Sequence, residues 1–319
     1  MPAEAVVVCR TGERVSDRLL VLGWHNVDGT WCFPSAPGAG RRGLERQLRF
    51  LARASTVVPL DQALDALVAG RPLPPRAVAI TFDDGYADNV TLAVPLLERL
   101  RLPATFFLVP GLLSGEVRAW WEVLGWGFGG TSRTALAWEG ARYAVETAGQ
   151  RRSAYERVAE QLKRRNREQR EAAVTELLDR LAPVGTPRGP ELFLDWTGAR
   201  ELVRRGFAVG SHSTYHAILS KEDEPAQQAD LRESRRRLED ELQAPAPLLA
   251  YPNGTMRDYD AATIAATAQA GHRYAVTTVD GWNHPSVPPF EIRRSVIYPE
   301  RGLLDLALTA RQLLRPTPR

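Results

Sequence analysis

The sequence predicts an α/β fold, in which a largely parallel sheet or barrel is covered by helices. Short apolar runs rich in β-branched residues alternate with stretches of helical periodicity. A strand followed by a helix and a further strand favours parallel pairing through right-handed crossovers. The chain has 319 residues, of which 44% are hydrophobic and 25% are charged, so it can bury the core of a large domain.

Six apolar runs are predicted to be buried strands, namely 18–24, 77–82, 104–109, 207–211, 247–251 and 273–278. Residues 90–100 and 230–242 are predicted helices, because their apolar side chains recur on one helical face. Residues 112–192 contain no obvious buried strand, and we interpret them as a helical insertion. We therefore expect one domain over residues 1–319, with a disordered tail at about 315–319.

Charge and composition exclude several classes of protein. The 41 Lys and Arg residues are nearly balanced by 38 Asp and Glu residues, for a net charge of +3, so no nucleic-acid partner is expected. Cys9 and Cys32 show no metal-binding spacing. The first apolar run is too short and too interrupted by charges for a signal peptide or a membrane span. We therefore expect a cytoplasmic protein without a membrane span.

The segment TFDDGYADN, residues 81–89, follows a predicted strand directly. Asp83 and Asp84 thus stand at the carboxyl end of a strand, where α/β proteins place their sites. Neighbouring strand residues point to opposite faces, so the two carboxylates have separate roles unless the strand ends between them. Taken alone, the segment is equally consistent with a polar turn that caps a helix.

The segment SHSTYH, residues 211–216, follows another predicted strand and places His212 and His216 four residues apart. On a helical turn, that spacing brings both imidazoles to one face, within reach of a single metal ion. An isolated pair of this kind is as often structural. Together with a carboxylate from another strand end, it predicts a catalytic metal site with open coordination positions.

These two segments, followed by LLAYPNG at 248–254, resemble the polysaccharide deacetylases of carbohydrate esterase family 4. The resemblance covers roughly residues 18–111 and 193–298. It implies a distorted (β/α) barrel and a metal-dependent N-deacetylase. The early position of one histidine-bearing strand is similar to a circularly permuted subset of that family.

The resemblance also implies roles for individual residues. Asp84, His212 and His216 would bind one divalent ion, expected to be zinc, with nickel or cobalt as alternatives. Such an ion lowers the pKa of a bound water to about 7, and Asp83 would take the proton of that water as general base. The oxyanion would lie between the metal and a backbone N–H near Asn253, with Tyr251 of the same segment as a further substrate contact.

Hydrolysis of an amide also requires an acid that protonates the leaving nitrogen, and histidine suits this role near neutral pH. His25, at the end of the first predicted strand, is similar in position to the acid of the permuted subset and is assigned that role. His284 in the loop DGWNHPSVPP is the alternative, and His272 is interpreted as structural.

Two features depart from the family pattern or stay ambiguous. Many relatives have an arginine that pairs with the base, but Ala250 stands at the aligned position here. Arg293 or Arg294 could supply the missing charge, and we place Arg293 among the substrate contacts. Trp120 and Trp121 either stack on a sugar ring or pack together in the core.

The expected reaction is hydrolysis of an N-acyl group, foremost N-acetyl, from an amino sugar or a related small molecule. The absence of an export signal favours a small cytoplasmic substrate over a polymer. Two alternatives remain open: a deformylase or other amide hydrolase acting on a secondary-metabolite precursor, and a catalytically inactive carbohydrate-binding protein.

Overall fold

The structure is a computed structural model that describes residues 17–186 and 190–297. Its strands are β1 (Leu20–Trp24), β2 (Thr56–Val57), β3 (Ala77–Phe82), β4 (Thr105–Leu108), β5 (Ala135–Trp138), β6 (Ala141–Ala144), β7 (Ala208–Ser211), β8 (Leu248–Ala250), β9 (Tyr274–Val276) and β10 (Ser295–Val296). Its α-helices are α1 (Gly40–Ala54), α2 (Leu60–Val68), α3 (Val94–Leu100), α4 (Pro110–Leu113), α5 (Trp120–Gly130), α6 (Ala148–Leu162), α7 (Arg167–Leu181), α8 (Trp196–Arg204), α9 (Glu224–Leu242) and α10 (Ala261–Gln269). A π-helical turn at Asn89–Ala93 precedes α3, and 3-10 turns lie at Pro190–Leu192 and Leu219–Lys221.

The main sheet is parallel, with the strand order β10-β1-β3-β4-β7-β8-β9, and β2 pairs with β3 as an additional strand. The segment around β10 contacts both edges of this sheet. Ile292 bridges to Val276 of β9, whereas Ser295 pairs with Leu22 of β1. The sheet therefore curls until its first and last strands meet, which confirms the predicted distorted (β/α) barrel.

Strand side chains alternate between the inside and the outside of the barrel. Val21 of β1, Phe107 of β4 and Ala250 of β8 belong to one buried cluster, although their strands are far apart in the sheet, so this cluster fills the interior. Leu22 and Phe106 belong instead to the cluster that packs under α1, α3, α8 and α9. Residues at inward positions just beyond the carboxyl ends of the strands therefore converge.

The first strand pairs with a neighbour on each side. β1 lies between β10 and β3, and Trp24 at its end is in register with Phe82 at the end of β3. His25 and Asp83 are the next residues along these two strands, so they emerge side by side at the same inward position. This adjacency depends on the pairing of segments that are nearly 60 residues apart, as shown by the Thr81 to Leu22 bond at a separation of 59.

Between β4 and α8, the chain forms a second cluster of buried side chains, which includes Trp121, Phe128 and Val158. The helices α5, α6 and α7 lie in this stretch as predicted, but so does the antiparallel hairpin β5–β6, which the sequence analysis missed. In α5, Gly125 allows close packing, because a Cβ there would clash with Sγ of Cys32. The extent of the insertion and the single domain stay predictions.

The predicted tail at 315–319 lies outside the described residues. Among the helices that the structure describes, none combines the length and the apolar character that crossing a bilayer requires. Localisation stays a prediction.

Candidate metal centre and catalytic site

The loops that follow β3, β7 and β8 contain unusual backbone conformations. Asp84, Ser213, His216 and Asn253 all have positive φ, at 69°, 61°, 52° and 57° respectively. Residues with a Cβ rarely adopt this left-handed conformation, and its concentration at one place is typical of functional sites. β3 ends at Phe82, and the positive φ of Asp84 turns the chain after Asp83, so each carboxylate can take a separate role.

One carboxylate and two imidazoles meet at this end of the barrel. Oδ1 of Asp84 lies 3.3 Å from Nε2 of His212 and 3.2 Å from Nε2 of His216. The possible ligand atoms of these three buried residues all lie within 4.8 Å of one another. The two histidines and the carboxylate that the sequence analysis selected as metal ligands are therefore brought together.

The hydrogen bonding of this cluster fits a cation. Nδ1 of His212 lies 2.7 Å from the carbonyl oxygen of Ala250, so Nδ1 carries a proton, and in the neutral form of the ring Nε2 presents a lone pair. That lone pair faces Oδ1 of Asp84, which is buried without a hydrogen-bond donor in the structure. Two buried acceptors that face each other require a positive charge between them, and imidazole with carboxylate is a donor set that zinc accepts.

Electrostatics favour the ligand forms of Asp84 and His216. Burial alone would raise the pKa of Asp84, but the close contacts of its carboxylate with the rings of His212 and His216 hold that pKa well below its usual value. Burial lowers the pKa of His216, although the Asp84 charge opposes this effect. The carboxylate is therefore ionised, and the His216 imidazole favours its neutral form.

Asp83 forms a separate, fully buried ion pair. Both of its carboxylate oxygens accept hydrogen bonds from Arg294, each at 2.6 Å. Burial would raise the pKa of Asp83, but the Arg294 guanidinium outweighs it and lowers that pKa below the usual range. Asp83 is thus held as an anion in a site from which water is largely excluded.

Arg294 supplies the positive charge that the segment LLAYPNG lacks at Ala250. Its guanidinium lies inside the barrel, where it also donates to Oγ1 of Thr81 at 3.1 Å and to the carbonyl oxygen of Thr277 at 3.2 Å. Small inward residues leave space for it, because a Cβ at Gly23 would lie 3.2 Å from Cδ of Arg294. Of the two arginines that the sequence left open, the structure therefore pairs Arg294 with Asp83.

His25 lies beside this ion pair. Its Nε2 is 4.0 Å from Oδ2 of Asp83, and its side chain is 18% exposed, whereas that of Asp83 is 2% exposed. The His25 ring stacks on Phe33 with centroids 6.0 Å apart. Asn89 donates to the carbonyl oxygen of His25 at 2.8 Å. His25 is therefore oriented next to the carboxylate and remains accessible to a substrate.

The residues that support His25 were not predicted from the sequence. Oδ2 of Asp88 accepts hydrogen bonds from the backbone N–H groups of Val27 and Asp28, each at 2.8 Å. Asp88 and Asn89 both belong to the segment TFDDGYADN, so their position in that segment was the available signal. They attach the loop after β1 to the loop after β3.

Three residues selected from the sequence lie elsewhere. The Tyr251 ring stacks on Tyr259 outside the barrel, and its N–H donates to the carbonyl oxygen of Val276. Arg293 is exposed and donates to the carbonyl oxygen of Asp280. Both occupy outward positions, because their neighbours Ala250 and Arg294 point inward. The alternative acid, His284, is exposed in its loop, with no described contact to Asp83.

The remaining candidates are two buried tryptophans and one half-buried asparagine. Trp120 and Trp121 are buried, at 8% and 6% exposure, and their rings pack edge to face, which matches the core-pair alternative. The Trp121 ring also contacts the His216 ring. Asn253 is half-buried, and its Nδ2 has no partner among the described residues, so it is a spare donor in the loop after β8.

The curled parallel sheet, the Asp84 cluster and the paired Asp83 define a (β/α)-barrel protein with a candidate hydrolytic metal centre. Residues 70–275 match the family model described as polysaccharide deacetylase, and the chain belongs to that family. Circular permutation relative to other members stays a prediction.

Individual relatives are distant. The chain is 31% identical over 88 residues to the poly-beta-1,6-N-acetyl-D-glucosamine N-deacetylase of Escherichia coli K12, and it spans about 13% of that protein's length. Two solved structures share the fold, each with a TM-score of 0.59 and with 94% of this chain and 99% of the other covered. They are the deacetylase PplD of Streptococcus pyogenes in complex with acetate, at 16% identity, and IcaB from Ammonifex degensii, at 20% identity.

Proposed function

We propose that this protein hydrolyses N-acetyl groups on amino-sugar residues of a glycan, with the help of one bound divalent ion. The observation that carries the proposal is the placement of the buried Asp83–Arg294 pair beside the cluster of Asp84, His212 and His216. The family description and the name of the Escherichia coli relative support an acetylated sugar polymer as substrate. They favour a polymer over the small molecule expected from the sequence.

Asp84, His212 and His216 would hold the ion, with zinc as the proposed metal. Once bound, such an ion lowers the pKa of a water and polarises a carbonyl oxygen. The protein's contribution is to keep the three donor atoms together and His212 in the required tautomer. The bond from His212 to the carbonyl oxygen of Ala250 performs the second task.

Asp83 acts as the general base. Because Arg294 occupies both carboxylate oxygens from one side, the anion keeps a fixed orientation while its remaining lone pairs stay available. Asp83 takes one proton from the attacking water, whose oxygen forms the new bond to the acetyl carbon. Arg294 keeps this carboxylate ionised until that step.

His25 acts as the general acid. The bond between the acetyl carbon and the amide nitrogen breaks only when the nitrogen receives a proton, and the half-buried His25 imidazole can supply one. The products are acetate and a free amine on the sugar. Nδ2 of Asn253 is proposed as an additional donor to the oxygen of the tetrahedral intermediate.

Metal removal is the direct test of this function. We expect protein purified without added metal to contain close to one equivalent of zinc, nickel or cobalt. Treatment with dipicolinate should abolish acetate release from oligomers of β-1,6-linked N-acetylglucosamine, and one equivalent of Zn²⁺ should restore it. Acetate release that is unaffected by complete metal removal would refute the metal-dependent mechanism.

The same assay separates the alternatives. N-formyl and N-acetyl forms of the same amino sugars, compared by mass spectrometry, distinguish a deformylase from a deacetylase. Monomeric N-acetylated sugars, compared with the oligomers, distinguish a small substrate from a glycan. Binding of oligomers without any acyl release, in metal-loaded protein, would support the inactive binding protein instead.

Replacing His25 with alanine should lower kcat at least about a hundredfold, because the leaving nitrogen loses its acid. Zinc content should stay at the wild-type level, since His25 is not among the three clustered donors. The measurement is acetate release alongside metal analysis, with His284→Ala as the matched control. Normal turnover in His25→Ala, or a comparable loss in His284→Ala, would remove His25 from the mechanism.

A further inference from the structure

The two candidate histidine ligands are restrained in different ways. Nδ1 of His212 is bonded to the carbonyl oxygen of Ala250 at 2.7 Å. Nδ1 of His216 is buried, with no hydrogen-bond partner among the described residues. Metal-binding histidines are usually oriented through their second ring nitrogen. Apart from the contact of its Nε2 with Asp84, the orientation of the His216 ring therefore depends on packing.

Trp121, in the first turn of α5, provides this packing. Its ring centroid lies 4.4 Å from that of His216, with the two planes inclined by 49°. The Trp121 ring is in turn contacted edge to face by Phe193, at a centroid distance of 6.3 Å. Trp121 is 6% exposed, so it has little freedom to move away from the histidine.

A chain of hydrogen bonds fixes Trp121. Nε1 of Trp121 donates to the hydroxyl of Tyr86 at 2.9 Å, and that hydroxyl donates to Oε1 of Glu122 at 2.9 Å. Thr30 donates to the same oxygen at 2.8 Å. An indole nitrogen only donates and a carboxylate only accepts, so the direction of the chain is set at both ends.

The chain joins three parts of the protein at the metal centre. Tyr86 lies two residues after Asp84, in the turn that ends β3, and Thr30 lies in the loop after β1. Trp121 and Glu122 belong to α5. The hydroxyl of Tyr86 is the central member, because removing it leaves both the Trp121 donor and one Glu122 contact unsatisfied.

We propose that Trp121, held by Tyr86 and Glu122, is a positioning residue that orients His216 for metal binding. The insertion then contributes directly to the metal centre, through Trp121 and Glu122 of α5. This inference rests on the proposed function only in that Asp84, His212 and His216 bind a divalent ion.

The test measures metal affinity in the absence of substrate. Apo protein is titrated with Co²⁺, whose visible absorption reports coordination, and Zn²⁺ affinity is measured by competition with a chelator. Tyr86→Phe should weaken Zn²⁺ binding about tenfold or more and change the Co²⁺ spectrum. Trp121→Phe should do the same, because it removes the indole donor and shortens the ring that faces His216.

Tyr143→Phe is the matched control. Tyr143 is also a buried phenol in the cluster that contains Trp121, and its hydroxyl accepts a hydrogen bond from Gln161 at 2.9 Å. This variant should lose a similar amount of thermal stability while its Zn²⁺ affinity stays within about twofold of wild type. Glu122→Gln, which keeps an acceptor oxygen for Tyr86 and Thr30, should retain most of the affinity.

The outcomes are separable. If folded Tyr86→Phe and Trp121→Phe bind Zn²⁺ as tightly as wild type with unchanged Co²⁺ spectra, the positioning role is refuted. If Tyr143→Phe weakens binding equally, the effect is general destabilisation and the inference also fails. If the wild-type protein binds neither ion, the proposed function fails first, and the inference fails with it.

Discussion

Replacing Arg294 with methionine should lower the free energy of unfolding by about 3–5 kcal/mol, because it leaves the Asp83 carboxylate buried without its partner. Arg294 has no exposed surface and makes both hydrogen bonds to Asp83 at 2.6 Å. Denaturant unfolding at pH 7 measures the loss. The proposed deacetylation should fall with it even at temperatures where the variant stays folded, since the anion of the proposed base is no longer stabilised.

The neighbouring arginine provides the control for this prediction. Arg293→Met removes the same charge and a similar volume from an exposed position, so its effect on stability should stay within about 0.5 kcal/mol. The double variant Arg294→Met with Asp83→Asn should regain much of the lost stability, because neither buried charge remains, but none of the activity. Equal losses in the two single arginine variants would contradict the buried pair.

The same pair predicts a pH dependence. The pKa of Asp83 is lower in the folded protein than in the unfolded chain, so the pair contributes its full stability above the unfolded value of about 3.9. That contribution is lost as the pH falls through the folded pKa. The difference in stability between wild type and Arg294→Met should therefore be largest near neutral pH and shrink in acid, which unfolding curves across pH 3–7 measure.

Replacing Asp83 with asparagine should lower kcat about 10²- to 10⁴-fold while the protein still binds one equivalent of zinc. The amide keeps the shape of the carboxylate but cannot take a proton from water. Asp84→Asn is the paired variant, and it should lose the zinc itself, because Asp84 belongs to the donor cluster. Kinetics and metal analysis on both proteins distinguish the two roles, and zinc loss in Asp83→Asn would show that they were assigned wrongly.

Local sequence predicted the parts of the site that adjacent residues build. The segment around Asp83 and Asp84 follows a strand run that the structure places at the same residues, 77–82. His212 and His216 likewise follow β7. Their convergence could be expected because the carboxyl ends of parallel strands meet at one edge of a sheet or barrel.

Residues that depend on register were harder to predict. Arg293 was placed at the site and Arg294 was left as an alternative, because the sequence does not show which of two adjacent residues faces the barrel interior. Ile292 and Ala250 both point into the barrel. By alternation along the chain, Arg294 points inward as well, whereas Tyr251 points outward and away from the site. The contact of Trp121 with His216 was not predicted, since it depends on how the insertion packs against the barrel.

The path of the chain gives the Arg294 pair a consequence for biosynthesis. Asp83 and Arg294 are 211 positions apart, so the ribosome makes the carboxylate long before its guanidinium partner. A nascent chain that ends before Arg294 has no counter-charge for Asp83, and hydration then favours keeping that strand end open to water. Arrival of Arg294 allows the carboxylate to be buried in the same step in which its segment joins β9 to β1. Asp83 thus acquires its positively charged partner only when the segment that carries Arg294 joins β9 to β1.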